Sequence, residues 1–271
     1  MNNINKDTQI CISLSSNPGN LGTKLHNAAY KRLGLNFIYK ACKTQNIKDA
    51  IIGVRALNFR GCSVSMPFKS EVINLVDKLD KSAKSTNAVN TIVNKNGMLV
   101  GFNTDTTATV ELIKNTNVDR KDKILIIGAG GVAKAIIFAL KSLGFKNIYV
   151  ANRTFRNIKK LNKICKINAV KFSDISKIDC SVLINATSLG MKNSKEQRYI
   201  ENIENKVKYL KLIFDVVIAN NDTYLIKLAK QHKIQHITGN QLGRTQAMHQ
   251  FRLYTSKKPP KEIFLPENKK N

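Results

Sequence analysis

The amino-acid sequence predicts an α/β protein of two domains, the second a doubly wound parallel sheet. Three observations carry that expectation. The chain has 271 residues, 42% of them hydrophobic, and only five prolines, which suits two compact cores and excludes a disordered or fibrous chain. The first third alternates strand-like apolar runs with amphipathic helical stretches and closes on a hairpin. From Asp122 the texture becomes a cleaner strand and helix repeat whose first strand runs into a glycine-rich turn.

Taken in order, the periodicities predict a strand over Gln9–Leu14, a helix over Thr23–Arg32, a strand over Asn36–Ala41, a helix over Ile47–Leu57 and a short strand over Cys62–Ser65. A further helix is expected over Lys69–Leu79. Asn90–Val93 and Met98–Gly101 flank Asn94-Lys95-Asn96-Gly97, where Asn-Gly supplies the two positive φ angles of a tight hairpin turn. The second domain starts with the strand Lys123–Ile127, a helix to Leu143, the strand Asn147–Ala151 and a helix after Thr154. Strands over Val182–Ala186 and Leu212–Val217 and a last helix over Asn240–Tyr254 complete it, and proline and charge in the Lys257-Lys258-Pro259-Pro260 tail are expected to discourage further order.

Strand Lys123–Ile127 leads straight into Gly128-Ala129-Gly130-Gly131-Val132-Ala133, a Gly-x-Gly-x-x-Ala turn opening a helix. Gly128 permits the turn, Gly130 lets the backbone approach a pyrophosphate, and Ala133 allows close packing of helix on strand. The helix start offers free N–H groups and the positive end of its dipole. This context is that of a Rossmann dinucleotide-binding domain. At the end of the next strand, where an NAD enzyme places a carboxylate for the ribose 2′-hydroxyl, the chain has Ala151-Asn152-Arg153-Thr154-Phe155-Arg156. Two guanidinium groups replace the carboxylate and match a 2′-phosphate, so the expected cofactor is NADP.

Lys and Arg number 45 against 18 Asp and Glu, a net charge of +27. Such an excess suits a polyanionic partner, but the basic residues spread from Lys6 to Lys270 without a compact run, and aromatics are few and scattered. Compositional drift is therefore expected, with no nucleic-acid partner. Met1–Lys6 lacks a signal-peptide pattern, and the apolar stretch Ile124–Leu140 is cut by glycines and Lys134, so no membrane partner is expected. Cys11, Cys42, Cys62, Cys165 and Cys180 form no Cys-x-x-Cys pair and none sits beside a histidine at ligand spacing. A reduced, cytoplasmic protein without zinc or another metal is the expectation.

Two further segments carry polar groups at strand ends: Gly61-Cys62-Ser63-Val64-Ser65-Met66-Pro67-Phe68-Lys69 and Gly101-Phe102-Asn103-Thr104-Asp105. Spacing alone does not bring Lys69 to Asp105. Together, however, the segments resemble the shikimate dehydrogenase family, which reduces 3-dehydroshikimate with NADPH. Ser63–Lys69 is similar to that family's Asn-Val-Thr-x-Pro-x-Lys, Ala88-Val89-Asn90-Thr91 to its Ala-x-Asn-Thr, and Asn103-Thr104-Asp105 to its Asn-Thr-Asp. Gly128–Ala133, Asn152-Arg153-Thr154, Asn185–Met191, Gly239 and Gln246-Ala247 extend the resemblance through the second half.

The resemblance implies a substrate-binding catalytic domain of residues 1–105 with 239–271 and an NADP-binding Rossmann domain of residues 106–238. It implies that Lys69 and Asp105 flank the reacting carbinol carbon, that Ser65, Asn90 and Gln246 contact the substrate, and that the cofactor lies across Gly128, Ala129, Gly130, Gly131, Val132 and Ala133. Asn152, Arg153, Thr154, Arg156, Thr187, Ser188, Val216 and Gly239 complete the expected cofactor contacts. A lysine and carboxylate pair suits hydride transfer, because the alcohol must lose a proton on oxidation. Lys69 is the candidate acid/base and Asp105 orients it, although a coupled pair titrates together and either can carry the proton. The expected partner is a small hydroxy acid, and the chain is a monomer or a homodimer.

The departures from the family pattern are as informative. Counting back from His26-Asn27, the family's Ser-x-Ser-Pro is here Asn20-Leu21-Gly22-Thr23. Asn20 and Thr23 are left to donate to the substrate carboxylate, with Lys24 nearby. Ile218 stands at a substrate-facing tyrosine, Thr106-Thr107 replaces a glycine, and Arg156 lies one place ahead of the family's second arginine, where this chain has Asn157. These changes resemble the shikimate dehydrogenase-like branch, which keeps the lysine and aspartate and alters the anchoring loop.

Three alternatives remain: a dehydrogenase for quinate or another cyclic hydroxy acid, a non-catalytic NADP-binding protein, and a relative of glutamyl-tRNA reductase, which shares the Asn-Arg-Thr motif. The last would need Cys11, Cys42 or Cys62 as nucleophile and would leave Lys69 and Asp105 unexplained. His26 is expected to be a structural hydrogen bonder, His232, His236 and His249 have no evident triad or metal partners, and Tyr254-Thr255-Ser256-Lys257-Lys258 matches the short-chain dehydrogenase Tyr-x-x-x-Lys by coincidence.

Overall fold

The computed structural model describes residues 4–190 and 206–265. They form two compact units, one of Met1–Ala108 with Gly243–Asn271 and the other of Thr109–Leu242.

The first unit is a mixed sheet. Strands β1 (Gln9–Ser15), β2 (Phe37–Lys43), β3 (Gly61–Val64), β4 (Lys78–Leu79), β5 (Thr91–Lys95) and β6 (Met98–Phe102) lie in the order β2-β1-β3-β5-β6-β4. β1 pairs parallel with β2 and β3, and β5 runs antiparallel to β3 and β6. Alternation along the strands fills both faces. Ile12, Leu14, Cys62 and Val64 pack on Ile47, Ile51 and Val54 of α2 (Ile47–Ala56). Cys11 and Tyr39 point the other way, onto Leu25 and Tyr30 of α1 (Leu21–Arg32) and onto Phe251, Tyr254 and Phe264. Asn46 caps α2 by accepting from the Lys48 and Asp49 N–H groups at 3.1 and 3.2 Å. The β5–β6 turn has φ 52° at Asn96 and 89° at Gly97, the pair of positive values a two-residue hairpin requires.

Two segments differ from the sequence expectation. Lys69–Leu79 is not one helix: a 3₁₀ turn over Glu71–Leu75 gives way to β4, and a separate short helix, α3 (Lys81–Thr86), follows. Asp77 is the cause. Its backbone N–H donates to the Leu99 carbonyl at 2.9 Å, and its carboxylate accepts from the Leu99 N–H at 2.6 Å and pairs with Arg55 at 2.8 Å, which pulls the chain onto the sheet edge. Asp80 then caps α3. Residues 261–265, just after Pro259-Pro260, also stay ordered, because Phe264 is fully buried with its ring 5.6 Å from Phe251.

In the second unit, β7 (Ile124–Ile127), β8 (Ile148–Ala151), β9 (Asn168–Val170), β10 (Val182–Asn185), β11 (Leu212–Asp215) and β12 (Gln235–Thr238) form one sheet in the order β12-β11-β10-β7-β8-β9. Every pair is parallel. Residues 124–127 are at most 1% exposed, as expected for strands covered on both faces. Helix α4 (Thr104–Lys114) carries the chain into this unit, α5 (Gly131–Ser142) follows β7, α6 (Phe155–Cys165) follows β8, α7 (Tyr224–Gln231) follows β11, and α8 (Gly239–Thr255) carries the chain back out. A last helix, α9 (Lys261–Phe264), ends the described chain. Strand order reverses between β7 and β10, and doubly wound sheets bind ligands at that reversal, outside the strands' carboxyl ends.

Candidate active site

In the first unit, three polar residues meet at the carboxyl ends of β3 and β6. Lys69 follows the turn after β3 and Asp105 opens α4; Lys69 Nζ donates to Asp105 Oδ2 at 2.6 Å. Their side chains are 16% and 6% exposed, so the pair is shielded yet the ammonium is reachable. The Lys69 carbonyl accepts from Val89 N–H at 2.8 Å, which places Asn90 next to the pair. Asn90 is fully buried, and its Oδ1 accepts from Thr104 N, Thr91 Oγ1 and Thr104 Oγ1 at 2.8, 2.9 and 3.1 Å. Its Nδ2 has no hydrogen-bond partner among the described residues. A buried amide with an unused donor carries a free-energy cost that a ligand oxygen would remove.

Around this core, Ser65 is exposed just past β3, and Gln246 is half-buried on α8. One turn further along α8, Gln250 Nε2 donates to Thr91 Oγ1 at 3.1 Å. Thr91, Thr104 and Gln250 were not picked out from the sequence; the i, i+4 spacing of Gln246 and Gln250 was the available signal. Asn20 precedes α1 without a side-chain cap bond, and Thr23 Oγ1 is buried without a hydrogen-bond partner among the described residues. No hydrogen bond among the described residues joins Asn20 or Thr23 to the Lys69 group.

In the second unit, Gly128 adopts φ +118°, and a Cβ there would lie 2.6 Å from the Ala186 carbonyl oxygen and 3.1 Å from Thr187 Cγ2. Only glycine fits this approach of the turn after β7 to the loop after β10. Cβ atoms at Gly130 and Gly131 would meet nothing within 4 Å. Gly130 precedes α5 without a side-chain cap, so the first N–H groups of that helix face open space. Ala129 and Val132 are half-buried and Ala133 is buried against the sheet. Beyond β8, Asn152 Nδ2 donates to the Thr154 carbonyl at 3.0 Å, and Arg153, Thr154 and Arg156 are exposed there. Thr187 donates to Asn185 Oδ1 from N and Oγ1 at 3.2 and 2.7 Å, Ser188 is exposed, and Gly239 presses on the Val216 and Val217 carbonyls. An open, uncapped helix start with guanidinium groups at the neighbouring strand end fits a phosphorylated dinucleotide. Met191, the last residue of the Asn185 motif, lies outside the described residues.

Two family models match the chain: the shikimate dehydrogenase substrate-binding domain over residues 19–92 and shikimate / quinate 5-dehydrogenase over residues 111–237. The chain belongs to the shikimate dehydrogenase family. It is 41% identical to a shikimate dehydrogenase-like protein of Haemophilus influenzae over 96% of both chains. It is 33% identical to a shikimate dehydrogenase (NADP(+)) of Streptococcus pyogenes over 95% of both. Among solved structures, a shikimate 5-dehydrogenase-like protein superimposes with a TM-score of 0.90, at 40% identity over 96% of both chains.

Other residues singled out in the sequence take defined places in this member of the shikimate dehydrogenase family. A Cβ at Gly22 would lie 3.3 Å from both Cε1 and Oη of Tyr39, so the Tyr39 ring fills the space a side chain at position 22 would take. Asn27 fixes that tyrosine by accepting from its N–H and donating to its carbonyl, each at 2.8 Å. His26 departs from the sequence expectation. It stacks on Tyr39 at 4.4 Å between centroids, and among the described residues its ring nitrogens make no well-formed hydrogen bond. Burial holds its pKa down to about 3, so it stays neutral. Ile218 is 56% exposed. Cys11 and Cys62 are fully buried, and burial pushes both thiols up, Cys11 to about 12, which suits apolar filling and not a nucleophile. Tyr254 is buried in the aromatic core against Gly61. Among the described residues no group of three or more His, Cys, Asp or Glu is placed to hold a metal ion, and no helix is long and apolar enough to cross a membrane.

Proposed function

We propose that this protein is an NADP-dependent oxidoreductase that interconverts 3-dehydroshikimate and shikimate, the reaction of aromatic amino acid biosynthesis. The observation that carries it is the Lys69–Asp105 pair at 2.6 Å beside the unsatisfied Asn90 donor, in a chain similar along its length to a shikimate dehydrogenase (NADP(+)). The cofactor, when bound, supplies the hydride. Lys69 gives a proton to the carbonyl oxygen as that oxygen gains charge and takes it back in the oxidation direction. Asp105 holds the ammonium in place beside the reacting oxygen. Asn90 and Gln246 hold ring hydroxyls, Ser65, Asn20 and Thr23 contact the rest of the acid, and Arg153 and Arg156 take the 2′-phosphate. In this reading the enzyme is cytoplasmic, a monomer or a homodimer, with substrate contacts in residues 1–105 and 239–271 and the cofactor in residues 106–238.

A second reading, a dehydrogenase for quinate or another cyclic hydroxy acid, draws on the Tyr39 ring packed over Gly22, since that ring changes the wall a substrate would meet. The test is NADP reduction followed by absorbance with shikimate, quinate and related hydroxy acids. Activity with shikimate above the others is the expected result, and tight NADPH binding with every acid inert would leave a non-catalytic binding protein. Lys69→Ala is expected to lower kcat by roughly 10²–10⁴ while cofactor affinity stays the same; an equal loss of both removes its acid/base role.

A further inference from the structure

Asp215 ends β11 as a buried carboxylate, 1% exposed, and no Lys, Arg or His among the described residues forms an ion pair with it. Burial pushes its carboxyl up from the ordinary range, and hydrogen bonds oppose that shift. Oδ1 accepts from Asn185 Nδ2 at 2.9 Å and from Val217 N–H at 3.2 Å, and Oδ2 accepts from Thr223 Oγ1 at 2.5 Å. Asn185, its register partner on β10, extends the network. Asn185 Nδ2 also donates to the Leu189 carbonyl at 3.0 Å, its Oδ1 receives both Thr187 donors, and Thr187 Oγ1 accepts from Leu189 N–H at 3.1 Å. One carboxylate thus ties together the loop after β10, the loop after β11 and the first turn of α7, which Thr223 caps. The first of these loops is the one that meets Gly128, with Ala186 and Thr187 against the glycine turn.

An uncompensated buried charge is expensive and is replaceable by an apolar residue where only packing matters. Its bond to Asn185 at the end of β10, one of the two strands at the strand-order reversal, points to work on the crevice wall. We propose that Asp215 is a positioning residue for the dinucleotide: through Asn185, Val217 and Thr223 it ties the loop after β10, which meets Gly128, to the loop after β11 and holds it in the shape that receives the cofactor. This rests on the NADP reading above.

The test is NADPH binding to the full-length protein by nicotinamide fluorescence, beside KM for cofactor and acid and the thermal midpoint, in wild type, Asp215→Asn and Asp215→Leu. Asn keeps the volume and the Oδ1 acceptor, and Thr223 can turn its hydroxyl to accept; Leu removes every acceptor. Leu is expected to weaken NADPH binding about tenfold or more and to raise the cofactor KM while the acid KM holds, with Asn within about threefold of wild type. Should Leu fail to fold, Thr223→Val, which removes one donor, carries the test with an expected loss of about threefold. Unchanged cofactor affinity in a folded Leu or Val variant, or a parallel rise of both KM values, overturns the proposal and leaves the function standing. A wild type that does not bind NADPH overturns the function, and the proposal with it.

Discussion

Asn90 was legible in the sequence only through the motif around it; nothing in the letters showed that its oxygen is fully used while its nitrogen is not. That asymmetry separates two effects. Asn90→Ala takes the acceptor from Thr104 N–H and from the Thr91 hydroxyl, so urea denaturation is expected to show a loss of about 1–3 kcal/mol. The same variant raises the acid KM and leaves NADPH affinity alone if the free donor meets substrate. Thr91 and Gln250 escaped notice because a buried threonine on a strand and a glutamine on a helix are ordinary residues until their mutual contact is seen. His26 shows the reverse: its place beside Asn27 was plain, its chemistry was not. Its pKa falls from 6.5 in the unfolded chain to about 3 in the fold, so the unfolded state takes up the proton first. Stability is full above pH 6.5 and declines by up to about 1.4 kcal/mol per pH unit as the pH falls through 6.5 toward 3. Chemical denaturation between pH 7 and 4.5 should show this slope flatten in His26→Phe, and an unchanged slope would mean that another group carries it.

Among the elements, the glycine turn between β7 and α5 allows the sharpest comparison. Gly128→Ala forces a Cβ against the Ala186 carbonyl at a positive φ, so both the thermal midpoint and NADPH affinity are expected to fall. Gly130→Ala meets open space in the protein, so the midpoint should hold while NADPH binding weakens. Equal cofactor affinity in Gly130→Ala and wild type would show that no ligand backbone passes there. This turn was readable because its three requirements fall on fixed positions after an apolar strand. The segment Lys69–Leu79 was not, since its helical spacing is genuine and the long-range pull of Arg55 and Leu99 on Asp77 decides the outcome. Likewise the proline-rich tail reads as unfavourable locally, and only the aromatic cluster that Phe264 completes makes residues 261–265 an ordered part of the fold.

At the scale of the molecule, the alternating pattern and the order of motifs made the α/β class and the family visible, because many separated segments had to agree. Charge was the less specific signal, because it is spread along the chain and not gathered into a motif. With a net +27 spread over the chain, the field draws anions without a dedicated surface, and screening weakens it. KM for NADPH is expected to rise about two- to fivefold between low salt and 0.3 M salt, and Lys40→Gln with Lys114→Gln should not change its value at 0.3 M; a salt-independent KM would confine the effect to Arg153 and Arg156. The first unit is also discontinuous: Cys11, Tyr30 and Tyr39 share one core with Phe251, Tyr254 and Phe264. During synthesis the amino-terminal sheet therefore leaves the ribosome long before the side chains that seal one of its faces. The second unit, an unbroken segment from Thr109 to Leu242, has all of its residues first, so the half that is translated earliest is the half that must wait.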